Sequence, residues 1–262
     1  MTPLSARRAC LLMFCLTALF LMCGLASAQW LNLPLSGTPR TADGKPDLTA
    51  PTPKAGNGKP DLSGIWRTAD GRFLGNLAAN EPGGAPFQPW AAALYKERQD
   101  NLAKDRPTGR CLPHGVPDAM MVRNGPFKIV QNPGVVFILF EEFNHYRQVF
   151  TDGRGFPKEM NPAWFGYSIG KWEGDTFVVD TMGFNDQSWL DDPGHPHTEA
   201  MHVTEKFMRR DFGHLDIQIT IDDPNAYTRP WTVNARFELM PDTELIENIC
   251  ENEKDSSHLV GK

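Results

Sequence analysis

The sequence predicts a mainly β fold, an antiparallel up-and-down β-barrel of eight to nine strands with an irregular N-terminal arm and one short helix. Three observations carry this expectation. From Pro126 onward the apolar residues recur with a period of two, in runs enriched in β-branched and aromatic side chains. These runs come in pairs separated by short polar turns, as successive hairpins do. A meander of that length removes its exposed edges most simply by closing on itself.

The chain opens with the pattern of a secretory signal over residues 1–28. Arg7 and Arg8 form a basic start, Leu11 to Leu25 is apolar, and Ala26-Ser27-Ala28 supplies small residues for cleavage before Gln29. The apolar run is shorter than the roughly 20 residues of a membrane span, so no stable membrane insertion is expected. Cys23 raises a lipoprotein anchor as the alternative, with Met22 standing where a small residue is usual. The mature protein is expected to be periplasmic or secreted.

Residues 29–62 read as an extended arm rich in Pro, Gly, Thr and Lys. They hold a near-repeat, "GKPDLT" at 44–49 and "GKPDLS" at 58–63, and "RTADG" occurs at 40–44 and 67–71. Two copies are too few for a solenoid, and the first is expected to lie in the arm. The barrel domain spans 63–262, interrupted at about 76–125 by an insertion carrying Pro82, Pro86, Pro89, Pro107, Pro113 and Pro117. Within it "PWAAALYKERQDNLAK" reads as a helix, with Pro89 near its start and strong helix formers after it.

The expected strands are "SGIW" (63–66) and four hairpins. These pair 134–143 with 145–152, 166–172 with 175–181, 201–210 with 214–221, and 231–239 with 244–250. Leu215, Ile217, Ile219 and Ile221 share one face of their strand against Asp216, Gln218 and Thr220 on the other. Trp231, Val233, Ala235, Phe237 and Leu239 repeat the pattern. Such alternation means one buried and one wet face.

Removal of the signal takes Cys10, Cys15 and Cys23 and leaves Cys111 and Cys250. In an oxidising compartment these are expected to pair, the alternative being two separate buried thiols. A bridge closing so long a loop stabilises by roughly 3–5 kcal/mol on the chain-entropy picture. The net charge of −6 becomes more negative once Arg7 and Arg8 leave with the signal. No basic stripe suits nucleic acid, and no basic amphipathic helix suits a membrane surface. No G-x-S-x-G, H-E-x-x-H, P-loop or Rossmann pattern occurs, which argues against common hydrolases, zinc peptidases and nucleotide enzymes. Cys111-x-x-His114 lacks the second Cys of a haem attachment site. No organic cofactor is expected, and oligomeric state is not legible.

Gly64-x-Trp66 on the first strand resembles the lipocalin/calycin signature. That resemblance implies a Trp packed across the barrel floor under an Arg from the last strands, for which Arg236 and Arg229 are the candidates. The superfamily's Thr-Asp-Tyr loop and C-terminal helix have no counterpart here. The longer stretches "PDLSGIW", "GKWEGDTFVVDT", "HTEAMHVTEKF" and "DDPNAYTRPW" resemble a family of secreted bacterial proteins of unassigned function. This second resemblance implies the compartment and says nothing of the chemistry.

Chemistry-bearing residues concentrate in two places. In "GHPHTEAMHVTEKF" (194–207), alternation puts Glu205 with Met201, Val203 and Phe207 on the inner face and His202 on the outer. A carboxylate in such company is expected to have a raised pKa and to serve as general acid or base, or else to pair with an Arg from a neighbouring strand. His195 and His197 precede it in a loop. They could act at the barrel mouth, chelate zinc or copper given a third ligand, or simply be solvated. No third ligand stands at metal-site spacing, so no metal is assigned. The loop 183–197, with Trp189, Asp191 and Asp192, reads as a lid over the mouth.

The second place is "EEFNHYRQ". A turn at Phe143-Asn144 sets Glu142 opposite His145 and Arg147 opposite Phe140, with either Glu142, His145 and Arg147 or Glu141, Tyr146 and Gln148 facing in. The resulting expectation is a small-molecule enzyme doing cofactor-free acid/base work, as a dehydratase, isomerase or cyclase, on an apolar or aromatic substrate. Glu205 with His145, His195 or His197 would share the proton transfers, and Arg147 or Tyr146 would hold a developing oxyanion. A non-catalytic binding protein of the same shape and a metal-binding periplasmic protein are the alternatives.

Overall fold

Nine strands close into one barrel in the computed structural model, which describes residues 33–250. The signal reading and the cleavage site near Ala28 lie outside the described residues. The strands follow chain order: β1 (Gly64–Thr68), β2 (Phe127–Asn132), β3 (Val135–Phe140), β4 (Tyr146–Phe150), β5 (Tyr167–Glu173), β6 (Thr176–Met182), β7 (His202–Arg209), β8 (His214–Asp222) and β9 (Trp231–Leu239). β9 pairs back onto β1, so no edge is left open.

Two details differ from the expected meander. The barrel is mixed: β4 and β5 run parallel, joined only at Val149–Ser168 and Phe150–Ile169. The connection 151–166 is too long for a hairpin turn and carries the chain back to the end where β4 began. The second difference is at the C-terminus. "ELIENIC" is not a strand, because residues 240–250 form an irregular strap, and the ninth position belongs to β2. Asp242 explains the departure. It sits in the left-handed region (φ 62°), and its carboxylate accepts hydrogen bonds from Arg40 and from the Leu35 N–H. The chain is thereby turned out of the sheet toward the arm, and β1 takes the free edge of β9.

The alternation expected on β8 and β9 is present, and Leu215, Ile217, Ile219, Ile221, Trp231, Val233, Ala235, Phe237 and Leu239 are buried. Each such aliphatic side chain contributes roughly 1.5–3 kcal/mol by leaving water. A one-residue slip would turn the whole row outward, so this face fixes the register. On the arm, both copies of the near-repeat fold into the same turn fourteen residues apart. Arg40 bridges Pro46 and Lys54 bridges Pro60, closed by Thr41 N–H to Lys45 O and by Ala55 N–H to Lys59 O.

The segments 69–126 and 183–201 cover one barrel end as a cap. The first holds α1 (Arg72–Gly75), α2 (Pro89–Asp100) and α3 (Asp118–Met121). The expected helix is thus present but ends at Asp100, before Leu102 and Ala103 take positive φ. Phe73, Leu77, Ala91, Met120, Met121, Phe184 and Leu190 join the barrel interior in one apolar core. Cys111 in the cap is bonded to Cys250 in the strap.

The opposite end is the floor. Trp66 is fully buried there and its Nε1–H donates to Leu62 O at 3.0 Å. The Arg above it is Arg209 of β7, 4.9 Å from the ring centroid, not Arg236 or Arg229. Arg236 falls on the outer face of β9 opposite Asp216, and Arg229 lies in the loop at the capped end, paired with Glu81.

Candidate functional site

Glu205 does point inward and is fully buried, but it is not alone. Arg147 of β4 reaches across the interior and grips both carboxylate oxygens, Nη1 to Oε1 at 3.1 Å and Nη2 to Oε2. The guanidinium also donates to Ser168 Oγ (3.0 Å) and Thr181 Oγ1 (2.7 Å), and the two hydroxyls lie 3.0 Å apart. This is a bidentate ion pair with its remaining donors satisfied, in an interior otherwise filled by side chains. Of the two expectations for this inward carboxylate, a free acid or base and a partner of an Arg, the geometry is that of the second, with the Arg reaching across the barrel from β4 and not from an adjacent strand. The β3–β4 hairpin supplies the partner, and its mixed faces are why the sequence leaves its inner face open. Its register sets Ile138 opposite Arg147 and Leu139 opposite Tyr146, with a short 3-10 turn at Glu142–Asn144, two residues off the expected pairing. A shift of two keeps each side chain on its expected face, and Arg147 points inward with Val136, Ile138 and Val149, while Tyr146 lies on the outer face, 60% exposed.

The two loop histidines are buried in the cap, each with its own partners. His195 Nδ1 lies 2.6 Å from Asp191 Oδ2, and Asp191 also accepts the N–H groups of Leu77, Gly194 and His195. The His195 ring packs on Tyr95 and Phe87 at centroid distances of 4.2 and 5.2 Å. His197 Nε2 meets Ser188 Oγ at 2.7 Å, and burial pushes its pKa down. Neither shares a hydrogen-bond partner with Glu205, so the structure does not join them into one mouth. His202 lies on the outer face beside Asp180. Among the described residues no three His, Cys, Asp or Glu side chains converge on a metal position.

The structure brings together a different trio, His114, Asp118 and Glu142. His114 and Asp118 bracket the start of α3, and Glu142 begins the turn after β3. His114 Nδ1 meets Asp118 Oδ2 at 2.6 Å. On the other side of the ring, Nε2 approaches Glu142 Oε2 to 3.1 Å without the alignment of a hydrogen bond. Six buried side-chain polar atoms lack a partner among the described residues, and three of them are His114 Nε2, Asp118 Oδ1 and Glu142 Oε2. Native interiors rarely leave such atoms unpaired, and a concentration of them calls for a ligand, a water or a catalytic role.

The electrostatics of the trio are coupled. Burial alone would lower the His114 pKa, but the charge and hydrogen bond of Asp118, then the facing carboxylate of Glu142, outweigh it and hold the imidazole at about 10. Burial raises Asp118 to about 6 against the pull of His114. Between those values the ring is an imidazolium fixed by a carboxylate on one side and faced by a second carboxylate on the other.

Backbone detail serves the same place. Gly115 has φ 78°, and a methyl there would come within 2.7 Å of Ser188 Oγ, so only glycine lets the His114 segment pack on the 183–201 loop. A methyl on Gly125 would stand 3.3 Å from Glu142 Oε2. Phe143 and Asn144 both hold positive φ (61° and 53°), an unfavourable state for a bulky aromatic that clusters at functional sites. Beside the trio is a recess walled by Phe140, Phe143, Phe165 and His145, with His145 Nδ1 donating to Phe143 O at 2.6 Å. Its volume is about 10 Å³, room for about one water. Of the expected site residues, His145 alone borders this recess. Sequence reasoning misses His114 and Asp118, although their His-x-x-x-Asp spacing is a usable signal.

No known family model matches the chain, and no curated protein matches it.

Proposed function

We propose that the protein is an extracytoplasmic enzyme doing cofactor-free acid/base chemistry, of dehydratase, isomerase or cyclase type, on an apolar or aromatic small molecule. The centre of that chemistry in our reading is Asp118–His114–Glu142. The observation that carries it is the convergence of one imidazolium and two carboxylates, three of whose buried polar atoms make no hydrogen bond, beside an aromatic recess. In this reading Glu142 takes a proton from the substrate, the His114 imidazolium gives one to the developing oxyanion, and Asp118 orients the ring through Nδ1. Phe140 and Phe165 hold the apolar body. The recess has room for only about one water, so a small molecule enters when the Glu142–Asn144 turn, with its positive φ at Phe143 and Asn144, swings outward. The Cys111–Cys250 bond supports the oxidising compartment. A second reading, a non-catalytic binding protein, is favoured by the barrel's other end, where a cavity of about 300 Å³ lies at the floor.

Proton exchange tests this without the product being identified. Aromatic ketones and keto acids are incubated with the mature protein in D₂O, and exchange at the carbon next to the carbonyl is followed by NMR. Catalysed exchange is expected, lowered about 10²–10⁴-fold by Glu142→Gln, the range for removal of a general base. Exchange unchanged by Glu142→Gln and His114→Gln would reject the site.

A further inference from the structure

The floor cavity has an apolar wall of Leu35, Ile65, Phe212, Leu239 and Met240, closed on one side by the arm. Arg209 lines it. The residue is only 7% exposed, its guanidinium rests over Trp66, and burial lowers its pKa to about 10. Every acceptor it has is a neutral main-chain carbonyl: those of Asp61, Ser63, Asp211 and Phe212. Asp61 and Asp211 act on it through space, but no carboxylate bonds it directly. The Asp61 carboxylate takes the Ser63 N–H, Asp211 takes the Gly213 N–H and pairs with His214, and Glu244 pairs with Lys128. Carbonyl oxygens satisfy hydrogen bonds but do not cancel a charge, and a buried charge gains further from a directly bonded counter-charge. Arg209 offers five N–H groups to these four carbonyls. The cavity wall therefore holds a buried guanidinium that no carboxylate bonds, next to apolar surface, with Asp61 and the Lys128–Glu244 pair also at the wall.

We propose that the floor cavity binds a small amphiphilic carboxylate, its apolar body against Ile65, Leu239 and Met240 and its carboxylate on Arg209. The site lies at the barrel end opposite His114 and does not depend on the acid/base reading. An acyl chain and an aryl acid share this chemistry, and competition separates them.

The probe is 8-anilinonaphthalene-1-sulfonate, an anionic aromatic whose fluorescence rises on binding, titrated into the folded, disulfide-intact protein. Decanoate and 4-phenylbutyrate compete in one series, decanol and 4-phenylbutanol in the other. A carboxylate is expected to displace the probe about ten- to a hundredfold more strongly than its alcohol, the worth of one charge-assisted hydrogen bond. The better of the two acids names the apolar body. Arg209→Met should erase the difference, but Arg209 also ties the floor together and the variant can unfold. Ser36→Trp, on the exposed arm, fills the cavity without touching the barrel and should abolish binding while circular dichroism stays unchanged. Absence of probe binding, equal displacement by acids and alcohols, or full binding in Ser36→Trp would overturn the proposal.

Discussion

Replacing Glu205 by Gln removes one charge from the centre of the barrel and leaves Arg147 with the other. Ser168 and Thr181 keep their hydrogen bonds to the guanidinium, but hydroxyls cannot neutralise it. Breaking a buried pair from one side costs about 3–5 kcal/mol, because the surviving charge stays desolvated. For a domain of this size each kcal/mol lowers Tm by about 2–4 °C, so Glu205→Gln should melt roughly 6–20 °C below the parent. Arg147→Met should lose a similar amount. The double variant Arg147→Met/Glu205→Leu should recover most of it, since apolar side chains of similar volume often replace a buried pair at little or no cost. The assay is urea unfolding of all four proteins followed by tryptophan fluorescence with the disulfide intact. The expected coupling is several kcal/mol. If Glu205→Gln unfolds within about 0.5 kcal/mol of the parent, the usual scatter of neutral surface changes, the structural account of this pair fails. If it also abolishes turnover, the chemistry belongs at Glu205 after all.

Two further outcomes follow from the cap and strap. The folded His114 pKa of about 10 lies above its ordinary value, so its contribution to stability is complete below about pH 6.5 and is lost as pH rises through 10. Asp118, raised to about 6, has the same sign at lower pH, its contribution fading as pH climbs from the ordinary carboxylate range through 6. Urea unfolding at pH 7 and at pH 10.5 should therefore show a larger alkaline loss in the parent than in His114→Gln, and equal losses would contradict the ion-pair account. Cys250→Ser should cost about 4–5 kcal/mol by freeing a long loop. Amide exchange at Ile246 and Asn248 should then speed up before that of β7 and β8, because those strap amides bond only to Glu141 and Asn144 side chains.

Where one face is uniformly apolar, the sequence is readable. The strands from Tyr167 to Leu239 follow their alternation closely, and Glu205 is correctly inward because Met201, Val203 and Phe207 leave no other choice. Where periodicity is short or borrowed, it misleads. "ELIENIC" is rich in β-formers but does not alternate, with Leu245 beside Ile246 and Glu247 beside Asn248; the edge it would need is occupied by β1, and Asp242 turns the chain elsewhere. "FKIVQN" is only six residues behind Gly125-Pro126, too short to claim against that rival. The β3–β4 hairpin hid the partner of Glu205, since both of its faces mix charged with apolar residues and alternation does not say which one turns inward. The His114 trio was hidden more deeply. Two of its members lie in a Pro-rich segment without period, and the third arrives from the end of β3, so no local pattern joins them.

The covalent closure Cys111–Cys250 makes a ring of the chain, and eight of the nine strands, β2 to β9, are strung on it. β1 alone stands outside, yet it is the stave that completes the wall between β2 and β9. In topological terms the oxidised ring is a sheet with one open slot, and the described segment 33–68 is a linear insert that fills it from outside the ring. The barrel can thus be unzipped at that slot and closed again without cutting or rethreading the ring. The arm turns around Arg40 and Lys54 are then the clasps that keep the insert seated: Arg40 grips Asp242 on the strap, and Lys54 reaches Asp175 in the β5–β6 turn.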